Sequence, residues 1–455
     1  MPYPLSTLRA VLARVFPALA LGAAALLPVP AAAQGPASVP TAAAPTPGRI
    51  EPGAELTVYL LTMGQGDEVW EKFGHNAIWI HDPVRGTDQA YNYGMFDFRQ
   101  ENFVLRFVQG RMLYWMQGIP MDWTLPVYQR GNRSVTAQEL NLTPRQRAEL
   151  RDFLEWNESP ENRFYRYDYY RDNCSTRVRD ALDRVLGGRI RAETQAVPSG
   201  SSYRWHTDRL TADDVPIYAA ITMGLGEPAD RPISRWEEMF LPEKLHDQVA
   251  RMRVRDAAGR EVPLVASERV LVPSAREPER QAPPRRIPGF LLAGLALGSA
   301  FLLLARGAAR SRAARYGFAG LAALWTLFVG SGGVILAGLW LFTDHQIAYR
   351  NENLFQLDPV ALALVLLAPA LAMGARWAAR PAVAVSRIVV ALAVLGLVAQ
   401  VLPGLDQGNG IAIALALPAH LGLALALRRL AALPPSAGEA APARHPARGR
   451  PAPVR

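Results

Sequence analysis

Residues 165–188 read YRYDYYRDNCSTRVRDALDRVLGG, and this stretch decides how the middle of the chain folds. Behind Asn173, apolar residues recur at the i, i+3, i+4, i+7, i+8 spacing of one buried helical stripe. They are Val178, Ala181, Leu182, Val185 and Leu186. The glycine pair at 187–188 favours the end of a helix. The stretch therefore predicts an amphipathic helix that begins at Cys174.

Cys174 is the only cysteine in the 455 residues, so it cannot form a disulfide within the chain. It can be a reactive thiol, an intermolecular bridge or an ordinary small apolar residue. A helix N-terminus and the nearby Arg171 and Arg177 favour the thiolate, the form that attacks carbonyl carbon, whereas Asp168 and Asp172 oppose it. We take Cys174 as the candidate nucleophile, with a packing role as the alternative.

A cysteine nucleophile needs a base, which is usually a histidine. The run His75–His81 (HNAIWIH) and the run Ala90–Phe98 (AYNYGMFDF) flank the turn-like DPVRGTDQ, so they predict a β-hairpin. His75 begins the first strand and is the candidate base. Asn92 on the neighbouring strand is the candidate that orients the imidazole. The alternative is a structural histidine and an asparagine that shapes a bend.

Two further segments set the fold class. The β-rich run Leu56–Leu61 (LTVYLL) predicts a strand, and T-P-R-Q at 143–146 has the capping-box pattern of a helix start. Strands mixed with helices in one unit predict an α+β fold for the region before residue 280.

The last third of the chain contains five apolar runs that approach membrane-spanning length, of which the third is the least secure. They are Ile287–Ala305, Phe318–Phe342, Val360–Gly374, Arg387–Pro403 and Ile411–Leu427. Arginines cluster after the first, third and fifth runs, and the other two loops carry mainly acidic residues. The positive-inside rule then places the α+β region outside the cytoplasm and the C-terminus inside it.

The N-terminus has two arginines, an apolar stretch and a small-residue run before Gln34, which is the pattern of a secretory signal. The predicted organisation is a signal peptide, a flexible leader, a periplasmic catalytic domain, a linker, a transmembrane domain of about five helices and a disordered cytoplasmic tail. These cover residues 1–33, 34–52, 53–275, 276–286, 287–430 and 431–455, respectively.

The net charge of +9 raises the question of nucleic-acid binding. The excess arginines lie mainly at membrane boundaries and in the tail, where topology accounts for them, so we expect no nucleic-acid partner. No close cluster of histidine, cysteine and carboxylates has metal-ligand spacing, and no phosphate-binding glycine loop is present. We therefore expect neither a metal nor a cofactor.

Several motifs resemble the N-terminal periplasmic domain family of the bacterial lipoprotein N-acyltransferase Lnb. The likeness covers about residues 55–360, and the histidine and cysteine motifs are its most specific part. The motifs are Gly66–Glu68, Phe73–His75, Tyr91–Gly94, Phe96–Phe98, Asp172–Arg177, Asp230–Pro232, Phe240–Pro242, Thr343–His345 and Asn351–Leu354.

The order of histidine before cysteine also resembles circularly permuted papain-like enzymes, such as relatives of lecithin:retinol acyltransferase. The resemblance implies that Cys174 is acylated to a thioester with His75 as its base. It also implies transfer of an acyl chain from a diacyl lipoprotein to that lipoprotein's own amine, at the bacterial inner membrane. Asn173 and Arg177 beside the nucleophile are then expected to contact the substrate.

His345 and Asn353 lie in the outer loop between the second and third apolar runs, and we expect them to contact the substrate as well. Two other functions stay open. The first is a periplasmic cysteine amidase or hydrolase of peptidoglycan or lipid, in which another acceptor takes the acyl group. The second is a membrane-tethered binding module without catalysis.

Overall fold

The computed structural model describes residues 51–433. The predicted signal peptide, nearly all of the predicted leader and most of the predicted tail lie outside these residues. Residues 51–433 belong to one compact unit, with a mixed helix-and-strand region followed by a helical region.

An antiparallel sheet of seven strands organises the first region, in the order β11-β5-β1-β2-β3-β4-β6. The pairs β7–β8 and β9–β10 form two small ribbons. The strands are β1 Thr57–Met63, β2 His75–Asp82, β3 Thr87–Met95, β4 Leu113–Pro120, β5 Val135–Leu140, β6 Phe164–Arg166, β7 Pro198–Ser202, β8 Pro232–Ser234, β9 Arg253–Arg255, β10 Glu261–Pro263 and β11 Val265–Val272.

Helices cover both faces of the sheet. The helices of this region are α1 Phe103–Gln109, α2 Met121–Arg130, α3 Pro144–Glu158, α4 Cys174–Val185, α5 Arg189–Thr194, α6 Tyr203–Leu210, α7 Val215–Gly224, α8 Arg235–Glu238 and α9 Pro242–Arg251. The larger core packs α3, α4 and α9 against one face, because alternate strand residues such as Ile78 and Tyr91 point there. The other face carries Ala77 and Ala90 and packs against α2.

The elements predicted around the candidate site are confirmed. β2 and β3 form the predicted hairpin, with Ala77 opposite Asn92. Helix α3 begins with the predicted capping box, in which the Thr143 side chain accepts from the Gln146 backbone. Helix α4 begins at Cys174 and is followed by the predicted glycine pair. The α+β class therefore holds for this region.

The number of membrane-spanning helices differs from the prediction. Among the described residues, four helices are long and apolar enough to cross a membrane, rather than about five. Helices α10, α11 and α14 are three of them, and α13 with the short 3-10 turn before it is the fourth. The helices of this region are α10 Ile287–Gly307, α11 Arg312–Phe342, α12 Ala363–Ala372, α13 Ala379–Ala399 and α14 Gly410–Ala431.

The third apolar run is short because the chain enters the bundle before it becomes a regular helix. A Cβ on Gly333, nine residues before the end of α11, would lie 2.5 Å from the carbonyl oxygen of Leu357. The Gln356 carbonyl accepts from His420 Nε2 at 3.0 Å. Irregular backbone at this depth is tolerated where protein surrounds it. Residues 351–362 therefore descend into the bundle as 3-10 turns, and α12 covers only the remaining length.

The α+β region is docked onto the loops at one end of these helices. Asp344 pairs with Arg111 at 2.9 Å and with Arg166 at 2.7 Å. The side-chain amides of Asn351 and Asn353 each donate to the Met223 carbonyl at 2.9 Å, at the C-terminal end of α7. Gln407 also donates to the Leu225 carbonyl at 3.1 Å. Buried amides and ion pairs therefore fix the two regions to each other.

Candidate active site around Cys174

Cys174 lies at the first residue of α4, where backbone N–H groups lack helical partners. The preceding Asn173 caps this end: its Oδ1 accepts from the Thr176 N–H at 2.9 Å. Its Nδ2 donates to the Tyr169 and Phe240 carbonyls, both at 2.9 Å. Asn173 is buried, so the structure gives this side chain a positioning role beside the nucleophile. Its predicted contact with substrate stays a prediction.

A hydrogen bond joins α4, which begins at the candidate nucleophile, to β2, which carries the candidate base. Ser175 follows Cys174, and its Oγ lies 2.8 Å from Oδ1 of Asn76, the residue after His75. Asn76 is itself held by bonds of 3.0 Å from its Nδ2 to Leu61 O and to Thr62 Oγ1. All of these groups are buried. The start of α4 is therefore fixed against the start of β2.

His75 and Asn92 lie within hydrogen-bonding distance, with His75 Nε2 3.1 Å from Asn92 Oδ1. The Asn92 amide is oriented by its Nδ2, which donates to the Ala90 carbonyl at 2.7 Å. Because an amide oxygen only accepts, the proton of neutral His75 resides on Nε2. Its Nδ1 is left with a free lone pair, which is the form that a general base requires.

Burial lowers the pKa of His75 to about 4. The hydrogen bond with Asn92 opposes this shift, and the positive charge of Arg133 adds to it. His75 is therefore neutral near pH 7. Among the described residues, no hydrogen bond joins His75 to Cys174. Contacts of this kind commonly tighten only when substrate binds.

Burial also raises the pKa of the Cys174 thiol. Backbone N–H groups of Asn76, Ser175 and Cys174 and the charge of Arg133 oppose this shift without reversing it. Arg171 and Arg177, which we expected to favour the thiolate, are not among the groups that act most on this pKa. Arg177 instead pairs with Asp172 and lies over the Tyr165 ring, and Arg171 bonds Gln346. The predicted contact of Arg177 with substrate stays a prediction.

Arg133 is the site residue that the sequence analysis missed. It is buried, donates to Glu71 Oε1 at 2.8 Å and to the Gly64 carbonyl at 2.9 Å, and lies over the Tyr128 ring. Its charge lowers the pKa of both His75 and Cys174. It lies 58 residues after His75 and 41 residues before Cys174 in sequence, and no local motif marks it.

The two outer-loop residues predicted to bind substrate lie away from Cys174, in the docking contacts. His345 Nε2 donates to the Phe107 carbonyl at 2.8 Å. Asn353 is fully buried. The structure thus uses both residues to join the two regions, and a contact with substrate stays a prediction for each.

One cluster has the composition of a metal site. Glu243, His246 and Asp247 on α9 bring their ligand atoms within 4.8 Å of one another, although the sequence spacing gave no such indication. His246 Nε2 lies 3.2 Å from Glu268 Oε2, and the neighbouring carboxylates raise the pKa of His246. The cluster is separate from the Cys174 site, and ion pairing accounts for its contacts.

Together the fold and the site define an α+β domain docked on membrane-capable helices, with a cysteine and a neutral histidine held on adjoining elements. Residues 50–211 match the family model of the Lnb N-terminal periplasmic domain. This confirms the resemblance for the segment that contains His75, Asn92 and Cys174, and it supports a membrane protein with a periplasmic domain. Searches of curated proteins and of solved structures found no match.

Gly94 offers a test of how tightly the site is built. Gly94 has φ +84°, and an added Cβ would lie 3.5 Å from Cys174 Cβ and 3.6 Å from Tyr167. Gly86 has φ +65° and open space around it, so it is the matched control. We expect Gly94→Ala and Gly86→Ala each to cost about 1–2 kcal/mol of stability through backbone strain.

Only Gly94→Ala is expected to slow a Cys174-dependent reaction, by about tenfold or more, because the strained backbone lies in contact with Cys174 and small displacements at a reacting atom are costly. Thermal unfolding of the solubilised protein and initial rates measure the two effects. Equal activity of the two variants would show that the space beside Cys174 is not used.

Asn92→Asp tests the coupling between His75 and its neighbour. A carboxylate facing Nε2 favours the imidazolium, so the pKa of His75 is expected to rise by about one unit or more. Since only neutral His75 can accept a proton, the acid limb of kcat/KM should move to higher pH. Asn92→Ala is the control. It removes a hydrogen bond that raises the pKa of His75, so its acid limb should not move to higher pH. An unchanged acid limb in Asn92→Asp would exclude His75 as the base.

Proposed function

We propose that this protein is a membrane-anchored cysteine acyltransferase that moves an acyl chain of a diacyl lipoprotein through a thioester on Cys174. The observation that carries the proposal is the 2.8 Å contact between Ser175 and Asn76, which holds the nucleophile's helix against the strand of His75. In the resemblance to Lnb, the corresponding histidine and cysteine motifs belong to such an enzyme. The inner membrane is the location that this function implies.

The first half-reaction is a transfer from oxygen to sulfur. His75 Nδ1 takes the thiol proton as Cys174 Sγ attacks the ester carbonyl carbon. The carbon–oxygen bond breaks, the alcohol leaves with the proton from His75, and the acyl group remains as a thioester. Because its pKa is depressed, His75 is the free base near neutral pH and is in the protonation state that accepts the thiol proton.

The second half-reaction passes the acyl group to nitrogen. The free amine of the lipoprotein attacks the thioester carbonyl carbon, and His75 takes a proton from the amine. The carbon–sulfur bond breaks, an amide forms, and His75 returns the proton to the sulfur to regenerate the thiol. Thioesters suit this step because they react readily with amines. The N–H groups of Asn76 and Ser175 near the sulfur favour negative charge there, which supports thiolate as a leaving group.

The packing of the α+β region on the membrane loops supports a lipid substrate. Asp344 and Asn353 join this region to the loops at one end of the membrane-capable helices, which supports a substrate whose acyl chains lie in the bilayer. The chain order of histidine before cysteine is also the order of circularly permuted papain-like enzymes. We therefore propose that the α+β region has a circularly permuted papain-like fold.

A hydrolase is the second candidate. Cys174 keeps part of its surface accessible, so water could replace the amine as acceptor. With a lipid ester as donor, water would hydrolyse the thioester to a free fatty acid and regenerate the thiol. With a peptidoglycan amide as donor, an amine would leave in the first half-reaction, and water would then release the acyl group as a carboxylic acid.

Mass spectrometry of a diacyl lipoprotein coexpressed with the protein separates these outcomes. Transfer within the lipoprotein leaves its mass unchanged and moves one acyl chain to the amine, which fragmentation detects. Hydrolysis lowers the mass by one acyl chain. Coexpression with Cys174→Ala supplies the unreacted reference. If the lipoprotein is identical with the wild type and with this variant, both lipid functions are excluded.

A further inference from the structure

Helix α1 presents large apolar side chains to solvent. Val104 is 72% exposed, Leu105 and Val108 are each 54% exposed, and Phe107 is also exposed. Phe98 and Trp70 extend this surface. We call these six residues the apolar ridge. Contiguous apolar surface of this kind marks a contact with a partner or a membrane.

The apolar ridge adjoins the end of a membrane-capable helix. The Asp344 N–H donates to the Gln109 carbonyl at 2.8 Å, two residues after α11 ends at Phe342. His345 Nε2 donates to the Phe107 carbonyl, also at 2.8 Å. The ridge therefore lies level with the point at which α11 ends. This continuity favours the bilayer surface as its partner over a soluble protein.

A row of aromatic rings runs from the apolar ridge toward the nucleophile. Ring centroids are 6.3 Å apart for Phe103 and Phe96, 5.1 Å for Phe96 and Tyr114, and 4.3 Å for Tyr114 and Tyr167. A Cβ built on Gly94 would touch both Tyr167 and Cys174, which places these two side chains together. The row is apolar over most of its length, and Phe96, Phe103 and Tyr167 are each partly accessible.

We propose that the apolar ridge inserts into the membrane leaflet facing the α+β region, and that the aromatic row leads a lipid acyl chain from there to Cys174. Amphipathic helices at the interface bury their apolar face about 5–10 Å into the boundary between headgroups and chains. The first part, insertion of the apolar ridge, rests only on the exposure of its side chains and on its position next to the end of α11. The second part rests on the proposed function, because it assigns the acyl chain as the group that reaches Cys174.

Nitroxide labelling tests the first part without any catalytic readout. In full-length Cys174→Ala protein, a single new cysteine at Leu105 carries the label, and the matched control carries it at Val84. Val84 is 78% exposed at the far end of the β2–β3 hairpin. The protein is placed in vesicles of bilayer-forming phospholipid, where oxygen concentrates in the bilayer and a water-soluble nickel complex stays in the aqueous phase. The spin relaxation of the label at 105 should be enhanced more by oxygen, and less by the nickel complex, than that of the label at 84. Equal accessibility at both positions would overturn the insertion.

Photocrosslinking tests the second part. A diacyl lipoprotein with a diazirine near the end of one acyl chain is incubated with full-length Cys174→Ala protein, so that the substrate is not consumed. Crosslinks to residues 96–114 or to Tyr167 are expected. Crosslinks confined to membrane helices would overturn the aromatic path. This outcome differs from failure of the proposed function, in which wild-type protein and Cys174→Ala leave the lipoprotein in the same acylation state.

Discussion

Replacing Cys174 by alanine is expected to abolish acyl transfer, with a loss of at least about a thousandfold in kcat, as for removal of a covalent nucleophile in other enzymes. The reason is that each half-reaction breaks or forms a bond to the sulfur. Cys174→Ser should also be severely impaired, because burial disfavours ionisation and a hydroxyl ionises less readily than a thiol. The measurement is the fraction of coexpressed lipoprotein that acquires an N-acyl chain.

Folding of these variants can be checked separately. Asn173 and Ser175 hold the start of α4 through their own side chains, so removal of the sulfur should leave the cap intact. Thermal unfolding should therefore stay within a few degrees of the wild type. A wild-type product pattern from folded Cys174→Ala would show that the reaction proceeds without the thiol, and the thioester mechanism would be abandoned.

His75→Ala is expected to lower kcat/KM by about 10²–10⁴-fold, the usual contribution of a positioned general base. His81→Ala is the matched control. His81 lies six residues further along the same strand, is exposed and bonds Asp88 Oδ1 at 2.9 Å. We expect its removal to change the rate by less than about twofold, since surface contacts of this kind contribute little.

The pH dependence distinguishes His75 from an ordinary histidine. Because burial lowers the pKa of His75 to about 4, neutral His75 persists well below pH 6.5. The acid limb of kcat/KM in the wild type should then fall near pH 4. An acid limb near the usual value for histidine, or similar losses in His75→Ala and His81→Ala, would argue against His75 as the base.

Local sequence patterns were sufficient for the elements of the site. The stripe of apolar residues after Asn173 and the glycine pair at 187–188 gave both ends of α4. The two runs that flank the turn DPVRGTDQ predicted the hairpin, and the structure places the candidate Asn92 within hydrogen-bonding distance of His75. In each case the signal lies within about 20 residues, where backbone geometry determines which side chains meet.

Contacts between residues distant in sequence could not be predicted from local sequence patterns. Asn76 and Ser175 are 99 residues apart, and Arg133 acts on the site from β5's preceding turn. The raised pKa of Cys174 was not predictable from its local charges, because its main cause is burial, and burial depends on the packing of the whole core. The apolar run at 360–374 was the least secure of the five predicted spans, and the structure forms only a ten-residue α-helix there, preceded by a 3-10 turn at 359–362.

The contacts of Asp344, Asn351 and Asn353 have a consequence for which molecules can be processed. They join the α+β region to the helices at several points, so the structure fixes the height of Cys174 relative to the helices. Under the proposed function, this height determines which ester carbonyls Cys174 can reach, and bonds deeper in the bilayer or farther out are excluded. Lengthening or shortening the 343–358 loop would change the height of Cys174 relative to the helices and, with it, the carbonyl that Cys174 can reach.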